Sequence, residues 1–204
     1  MRIKNVDRRI LRTKQSLKDA FISLLNEKDL SVISITDIVN RSDLNRSTFY
    51  AHFKDKEDLL TCLIEDLTEG IIKSMEDSSY DHTIKFNEKT ILLHAANTIF
   101  SYIDNHSVYF EALLNDRRTR FTPLLSEGLY HFFLKRIEQQ TLKDEQPINS
   151  SFFACYLSST LVGFICHWLV TPGTEHDSSY IANEFTKIMM LKPSIPYLAP
   201  VGVL

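Results

Sequence analysis

The chain has 204 residues, of which 44% are hydrophobic and 11% aromatic, and its formal net charge is -3. These values suit one or two small domains with a sizeable core, and they are not typical of a protein that binds nucleic acid over its whole surface. The three cysteines, Cys62, Cys155 and Cys166, have no paired spacing, which argues against a disulfide framework and favours reduced thiols in the cytoplasm.

Charge is divided unevenly along the chain. Residues 1–54 carry 11 Lys and Arg against 6 Asp and Glu, whereas residues 55–204 carry 12 against 20. A basic N-terminal segment on an acidic remainder is typical of a local nucleic-acid-binding face, although a merely solvated surface has the same composition. Residues 1–14 are charged throughout and the apolar run 161–170 is short, so we expect neither a signal peptide nor a membrane span.

Three helices are predicted in the basic segment. An apolar stripe predicts the first, from about Arg8 to Asn26. Thr36 is a candidate cap for the second, and Asn45 is a candidate cap for the third, which runs from Arg46 to about Phe53. The turn between them is Ser42-Asp43-Leu44. A helix-turn-helix has this layout, in which one helix braces across the DNA backbone while the next enters the major groove.

The stretch ITDIVNRSDLNRSTFYAHFKDKEDLL resembles the DNA-binding signature of the TetR-type transcriptional repressors. The agreement in its later part lies in Thr48-Phe49-Tyr50, Phe53, Lys56-Glu57 and Leu59-Leu60. The family turn usually has alanine and glycine where this chain has Ser42 and Asp43, and aspartate can adopt the left-handed conformation that such a turn needs. Arg46 and Ser47 stand where lysine or glycine is common, so the base preference is expected to differ.

The resemblance implies contacts with double-stranded operator DNA. Base edges are expected to be met by Arg46, Ser47 and Thr48, and phosphates by Thr36, Tyr50, His52 and Lys56. Arg46 is the strongest candidate for direct readout, because a guanidinium can bind guanine O6 and N7 with two parallel hydrogen bonds. A three-helix unit without DNA is the structural alternative.

Six further helices are predicted in residues 55–204. Asp55 can cap the first, in which Gly70 is a candidate position for a bend, and a second starts near Asn87. The others are expected at His106–Leu114, from Thr122-Pro123 to about Thr141, from Ser150 or Ser151 to near Thr171, and at about Ser178–Leu191, before an irregular tail. No strand alternation persists, so the predicted fold is all-α with about nine helices. It comprises a helix-turn-helix domain (1–54) and a ligand-binding and dimerisation bundle (55–204).

The helix that follows Ser150 is apolar on nearly all sides, which requires burial on all sides. A homodimer would bury it together with the last helix in a four-helix interface, and palindromic recognition also needs two copies. The candidate interface residues are Phe164, Trp168, Ile181, Phe185 and Ile188. A central helix within one monomer is the alternative.

The bundle is also rich in aromatic residues, and in the family it holds an effector pocket. We expect an apolar small-molecule effector in a pocket lined by Tyr102, Tyr109, Phe110, Phe133, Phe152 and Tyr156. For each of these residues taken singly, an ordinary core position is the alternative.

The sequence contains no catalytic, metal-binding or phosphate-binding motif, so we expect no enzyme activity, metal or cofactor. The expected function is transcriptional regulation, in which a dimeric repressor binds a palindromic operator and a small molecule releases it. A protein-interaction co-regulator that kept the fold and lost operator binding is the alternative. The intact Arg46, Tyr50 and Lys56 argue against it.

Overall fold

The computed structural model describes residues 8–76, 87–139, 149–171 and 177–191, and all regular elements in these ranges are helical. The N-terminal head consists of α1 (Arg8–Leu25), α2 (Ile35–Arg41) and α3 (Arg46–Tyr50). The remaining helices form the bundle: α4 (Lys56–Glu76), α5 (Glu88–Asn105), α6 (Ser107–Asn115), α7 (Phe121–Gln139), α8 (Ser150–Val170) and α9 (Ser178–Met189). Two 3-10 turns, Leu30–Val32 and Arg117–Thr119, belong to the head and the bundle respectively. The predicted all-α fold is confirmed for the described ranges, and the tail from residue 192 lies outside them.

The helix starts show where the sequence identified the capping residue and where it did not. Asn45 caps α3 as expected, and Asn87, near which a helix start was predicted, is the cap of α5; each accepts a hydrogen bond from the backbone N–H three residues on. Thr36 does not cap α2, because Ser34 holds that position and Thr36 lies inside the first turn. Likewise α7 begins at Phe121, so Thr122 lies within the helix, and Asn149 rather than a serine caps α8.

The head is built around a small apolar core that fixes α3 against α1 and α2. Leu17 and Phe21 of α1, Ile38 of α2 and Phe49 of α3 are each 0% exposed, and Phe53 is 3% exposed. Burying a large apolar side chain contributes about 1.5–3 kcal/mol. The outward face of α3 is therefore set by the inward packing of Phe49.

In the bundle, α9 packs along α5 and α8 packs along α7, while α4 contacts both α5 and α7. Phe100 of α5 is fully buried and its ring meets those of Trp168 and Phe185 edge-on, with centroids 5.8 and 5.6 Å apart. Trp168, Ile181 and Phe185 are only 7–8% exposed within one protomer. These three candidate interface residues thus belong to the protomer core, and an interface through α8 and α9 must use other side chains.

α8 is long and apolar enough to cross a membrane by length and composition, with a mean hydropathy of 1.6 over an 18-residue window that is 33% buried. The apolar run 161–170 is only part of this helix, which has 21 residues. Core helices pass the same test, and Ala154, Leu161 and Ile165 of α8 are buried among the other helices. Its composition is therefore weak evidence for a membrane span.

Polar contacts join the head to the bundle. Lys18 of α1 forms an ion pair with Asp66 of α4, and Gln15 of α1 donates a 2.8 Å hydrogen bond to the hydroxyl of Tyr109 in α6. That hydroxyl in turn donates to Asp19 of α1. The two 3-10 turns also meet, because the backbone N–H of Leu30 donates to a carboxylate oxygen of Asp116 at 2.8 Å. A shift of α4 or α6 relative to α1 must disturb these contacts.

Candidate nucleic-acid interface

The turn between α2 and α3 is a Schellman motif with aspartate in the position that usually holds glycine. The N–H of Leu44 donates to Val39 O at 2.9 Å, and the N–H of Asp43 donates to Asn40 O at 3.4 Å. Asp43 has φ 53°, so the predicted left-handed conformation is confirmed. The motif ends α2 abruptly and directs the chain into α3.

α3 is short, and its polar side chains are held outward. Arg46, Ser47 and Tyr50 are exposed, and the exposed fraction of Tyr50 is 51%. The Tyr50 ring lies edge-on against Phe49 with a centroid distance of 5.6 Å, which supports the phenol from the core side. A guanidinium nitrogen of Arg46 lies 3.5 Å from the Tyr50 hydroxyl, one helical turn away. A guanidinium and a phenol therefore stand side by side on the outer face of α3.

The cap of α3 also orients two hydroxyl groups. The side-chain oxygen of Asn45 accepts hydrogen bonds from the Ser47 hydroxyl at 2.6 Å and from the Thr48 hydroxyl at 2.9 Å. It also accepts the Thr48 N–H at 2.8 Å. Because each hydroxyl donates its single proton to Asn45, its oxygen can act only as an acceptor towards other partners. In this arrangement Ser47 and Thr48 can accept from the exocyclic amino groups of adenine or cytosine.

Lys56 has a role in the structure that the sequence did not reveal. Its ammonium donates to the carbonyl oxygens of Leu30 and Ile33, both at 2.8 Å, and so ties the start of α4 to the first 3-10 turn. An ammonium has three N–H groups, so one remains for a phosphate oxygen. Of the other three expected phosphate contacts, Tyr50 is exposed on α3, Thr36 is exposed on the first turn of α2 and His52 is half-buried after α3.

The start of α2 is fixed by a capping box. The Ser34 hydroxyl accepts from the Asp37 N–H at 3.2 Å, and the Asp37 carboxylate accepts from the Ser34 N–H at 2.8 Å. The Ser34 backbone and hydroxyl hydrogen bonds, with a contribution from Lys28, lower the pKa of Asp37 to about 2. Sequence reasoning missed this pair, although serine followed three residues later by an acidic residue is its signal.

A bidentate ion pair joins the end of α2 to the turn that follows α1. Two guanidinium nitrogens of Arg41 each lie 2.7 Å from a carboxylate oxygen of Glu27. Hydrogen bonding by Arg41 lowers the pKa of Glu27, and the same bond raises the pKa of Arg41. Arg41, which also donates to the Ser23 hydroxyl in α1, is thereby committed to contacts within the head and is a poor candidate for DNA contact.

Two family descriptions match separate parts of the chain. One, for the bacterial regulatory proteins of the tetR family, covers residues 19–62 and includes all of α2 and α3. The other, for a transcriptional regulator C-terminal region, covers residues 91–191. The chain belongs to the TetR family of transcriptional regulators. The resemblance seen in residues 35–60 is thus confirmed.

Relatives of this TetR-family chain are described as regulators. The HTH-type transcriptional regulator YxbF of Bacillus subtilis is 28% identical over 93% of the chain, which spans only 47% of the length of YxbF. The dhaKLM operon transcriptional activator DhaS of Lactococcus lactis is 25% identical over 76% of the chain and 72% of its own length. A TetR-family structure from Syntrophomonas wolfei shares the fold, with a TM-score of 0.69 over 95% of this chain and 98% of its own, at 17% identity.

The TetR-family bundle does not bring the six candidate effector residues together. Tyr102 and Tyr109 line one cavity, whereas Phe110 is fully buried behind that lining, with its ring edge-on to Tyr102. Phe133 is half-buried against the core. Phe152 and Tyr156 lie on the outer face of α8, where they are 78% and 51% exposed. Aromatic content alone did not show which rings share a space.

The outer face of α8 carries a stripe of exposed residues at helical spacing, which we call the α8 stripe: Phe152, Tyr156, Ser159, Gly163, His167 and Val170. A shallow, mainly apolar depression of about 320 Å³ surrounds Gly163, next to the half-buried Phe164. A Cβ atom added at Gly163 would meet no atom within 4 Å. The described residues of the chain therefore leave this face of α8 uncovered. Among the described residues, no group of His, Cys, Asp and Glu is placed to hold a metal ion.

Proposed function

We propose that this TetR-family chain binds a palindromic operator as a homodimer, with α3 of each protomer in the major groove, and represses transcription until a small-molecule effector releases it. The observation that carries the proposal is the outer face of α3. Buried Phe49 fixes the helix, and Arg46, Ser47 and Tyr50 are left exposed. In this reading the DNA-binding domain ends near residue 54, in the corner between α3 and α4.

The contacts assigned to DNA fall into two groups. Arg46 reads a guanine, and Ser47 and Thr48 accept from an adjacent adenine or cytosine. Tyr50 and His52, with Thr36 and the remaining N–H of Lys56, bind phosphates and position the head without reading sequence. A duplex whose half-sites lie about one helical turn apart suits one head per protomer.

The homodimer is proposed to form through the α8 stripe together with Ile188 of α9, which is 45% exposed. Small residues in the middle of the stripe, Ser159 and Gly163, allow the backbones of two α8 helices to approach closely. Phe152 and Tyr156 supply the apolar area at one end. Burial of this area, at about 25 cal/mol per Å² of apolar surface, would drive association.

The sign of regulation depends on where the operator lies relative to the promoter. Repression is our proposal for this chain, and the relative DhaS is described as an activator. A reporter gene under the chain's own upstream DNA distinguishes the two, because deletion of the regulator raises expression for a repressor and lowers it for an activator.

The experiment begins with binding-site selection from a pool of random duplexes, followed by fluorescence anisotropy on the selected duplex and on random DNA. Arg46→Ala should cost about 1–3 kcal/mol on the selected duplex and relax one base pair in each half-site, with a small effect on random DNA. Arg136→Ala, at an exposed arginine of α7, is the matched control. Equal losses on both duplexes for Arg46→Ala would refute the assignment of base readout to this residue.

A further inference from the structure

A cavity lies at the junction of the head and the bundle. Its volume is about 440 Å³, and its lining comes from four helices: Gln15, Lys18, Leu63, Asp66, Leu67, Tyr102, His106 and Tyr109. Only two of these eight residues are aliphatic. The sequence predicts a mainly apolar pocket inside the bundle. This cavity is instead lined mostly by aromatic and polar side chains, and two of the lining residues belong to α1 of the head.

The fixed charges of the cavity favour a cation over an anion. The side chain of Lys18 is only 7% exposed, and its ammonium is paired with one carboxylate oxygen of Asp66. An entering anion would have to compete with Asp66 for a buried partner. The Asp66 side chain itself is 55% exposed, so its carboxylate also faces the solvent side of the cavity. Asp19 does not line the cavity, but it accepts hydrogen bonds from two residues that do, Gln15 and Tyr109, and so adds a second carboxylate next to the lining.

The aromatic wall has the composition that binds organic cations. The rings of Tyr102 and His106 lie with centroids 4.3 Å apart, and the Tyr109 ring is 6.5 Å from His106. Burial and the charge of Asp66 raise the pKa of Tyr102 to about 12, and burial with the Asp19 hydrogen bond raises the pKa of Tyr109 as well. Both phenols are therefore neutral near pH 7. Their π-faces carry negative potential, which attracts a positively charged group.

We propose that the junction cavity is a binding site for a small organic cation of the amine class, held against the aromatic wall that includes Tyr102 and Tyr109 with its charge toward Asp66. Binding of the cation does not depend on the proposed operator function, but its regulatory consequence does. The cavity is lined from α1, α4, α5 and α6, so an occupant contacts the head and the bundle at once. A ligand shifts a conformational equilibrium only if it binds one conformation more tightly than the other. If the conformation that binds operator and the one that does not differ at this junction, occupancy of the cavity must change operator affinity.

The test is a charge series on the full chain by isothermal titration calorimetry at pH 7, with benzylamine, benzyl alcohol and benzoate as probes of one shape. Benzylamine should bind at least about tenfold more tightly than the neutral and the anionic probe. Equal affinity for benzyl alcohol, or preference for benzoate, would overturn the proposal without any substitution being needed.

A pair of matched variants locates the site. Tyr102→Leu removes one ring and should weaken benzylamine binding by about fivefold or more. Tyr180→Leu, at an exposed tyrosine of α9, should leave it unchanged. Asp66→Asn is unsuitable because it would leave the buried Lys18 ammonium without its carboxylate. Unaltered affinity in Tyr102→Leu would place the probe elsewhere and contradict the inference.

The regulatory step is measured separately, as operator affinity with and without saturating benzylamine. A change that is lost in Tyr102→Leu supports coupling through the junction. A protein that binds benzylamine as expected but binds no selected duplex contradicts the proposed operator function and leaves the cation site standing. A protein that binds its operator and shows no charge preference among the probes overturns the cation site alone.

Discussion

Replacing Gly70 by alanine should destabilise the protein, although alanine ordinarily favours a helix. Gly70 lies inside α4, and a Cβ atom at this position would stand 2.0 Å from the hydroxyl oxygen of Tyr102 and 2.1 Å from the ring carbon that bears it. The ring is rigid, so it must swing away from α4 as a unit. Glycine is therefore required here by a neighbouring side chain rather than by its own backbone, and no bend needs to be invoked.

The magnitude follows from two opposing contributions. Overpacking of this kind costs about 1–3 kcal/mol, while the glycine-to-alanine change in a helix interior gains about 0.8–1 kcal/mol. The free energy of unfolding should fall by about 1 kcal/mol, which lowers the melting temperature by about 2–4 °C in a chain of this size.

The decisive measurement repeats the substitution in a Tyr102→Ala background. With the ring absent, Gly70→Ala retains only its helix-propensity gain and should raise the melting temperature by about 2–4 °C. The four proteins form a double-mutant cycle, monitored by circular dichroism, with an expected coupling of about 1–3 kcal/mol. If Gly70→Ala changed stability by the same amount in both backgrounds, the close approach of Tyr102 would not be the cause.

Four further outcomes are expected. Lys56→Met removes two hydrogen bonds from a charged donor, so it should lower the melting temperature by about 4–10 °C. It should also reduce the slope of log K for operator binding against log salt concentration by about one, the loss of one phosphate contact. Asp43→Gly relieves the positive φ and should raise the melting temperature by about 2–4 °C, and a decrease would show that the aspartate side chain stabilises the turn. The pKa of Asp37 is lowered from 3.8 to about 2, so its contribution to stability is complete above about pH 4 and is lost as the pH falls towards 2; Asp37→Asn should remove this part of the acid sensitivity in melts across that range. Gly163→Arg should give monomers in sedimentation velocity while the fold persists, whereas the control Ser101→Arg, at an exposed residue of α5, should remain dimeric; a dimeric Gly163→Arg protein would exclude the α8 stripe as the interface.

The sequence predicted best where one residue type has one physical use. The apolar spacing of Phe49 and Phe53 determined which face of α3 points inward, and Asn45 directly before a helical run could hardly be anything but a cap. The left-handed backbone conformation at Asp43 agrees with the sequence, because aspartate is one of the few residue types that tolerate a positive φ. These inferences needed only neighbours in the sequence.

Inference failed where two candidates had the same chemistry. Ser34 and Thr36 can both cap a helix, and the choice depends on which backbone is extended, which the side chains do not reveal. An all-apolar helix does not show which face meets its own core, so Trp168 was assigned to a partner although Phe100 of the same protomer covers it. The structural role of Lys56 could not be predicted from the sequence, because the two carbonyl groups it binds lie 23 and 26 residues earlier in the chain; its contact with a phosphate stays a prediction.

The hydrogen bonds from Lys56 have a mechanical consequence. They fasten the start of α4 to the first 3-10 turn, directly before α2, so the head and the first turn of α4 move as one body. A displacement of α4 then carries α3 along without reshaping its outer face. In the proposed dimer, an effector would leave the base contacts of each α3 unchanged and alter only the distance between the two α3 helices. An operator with altered half-site spacing would therefore weaken binding in the same way as the effector.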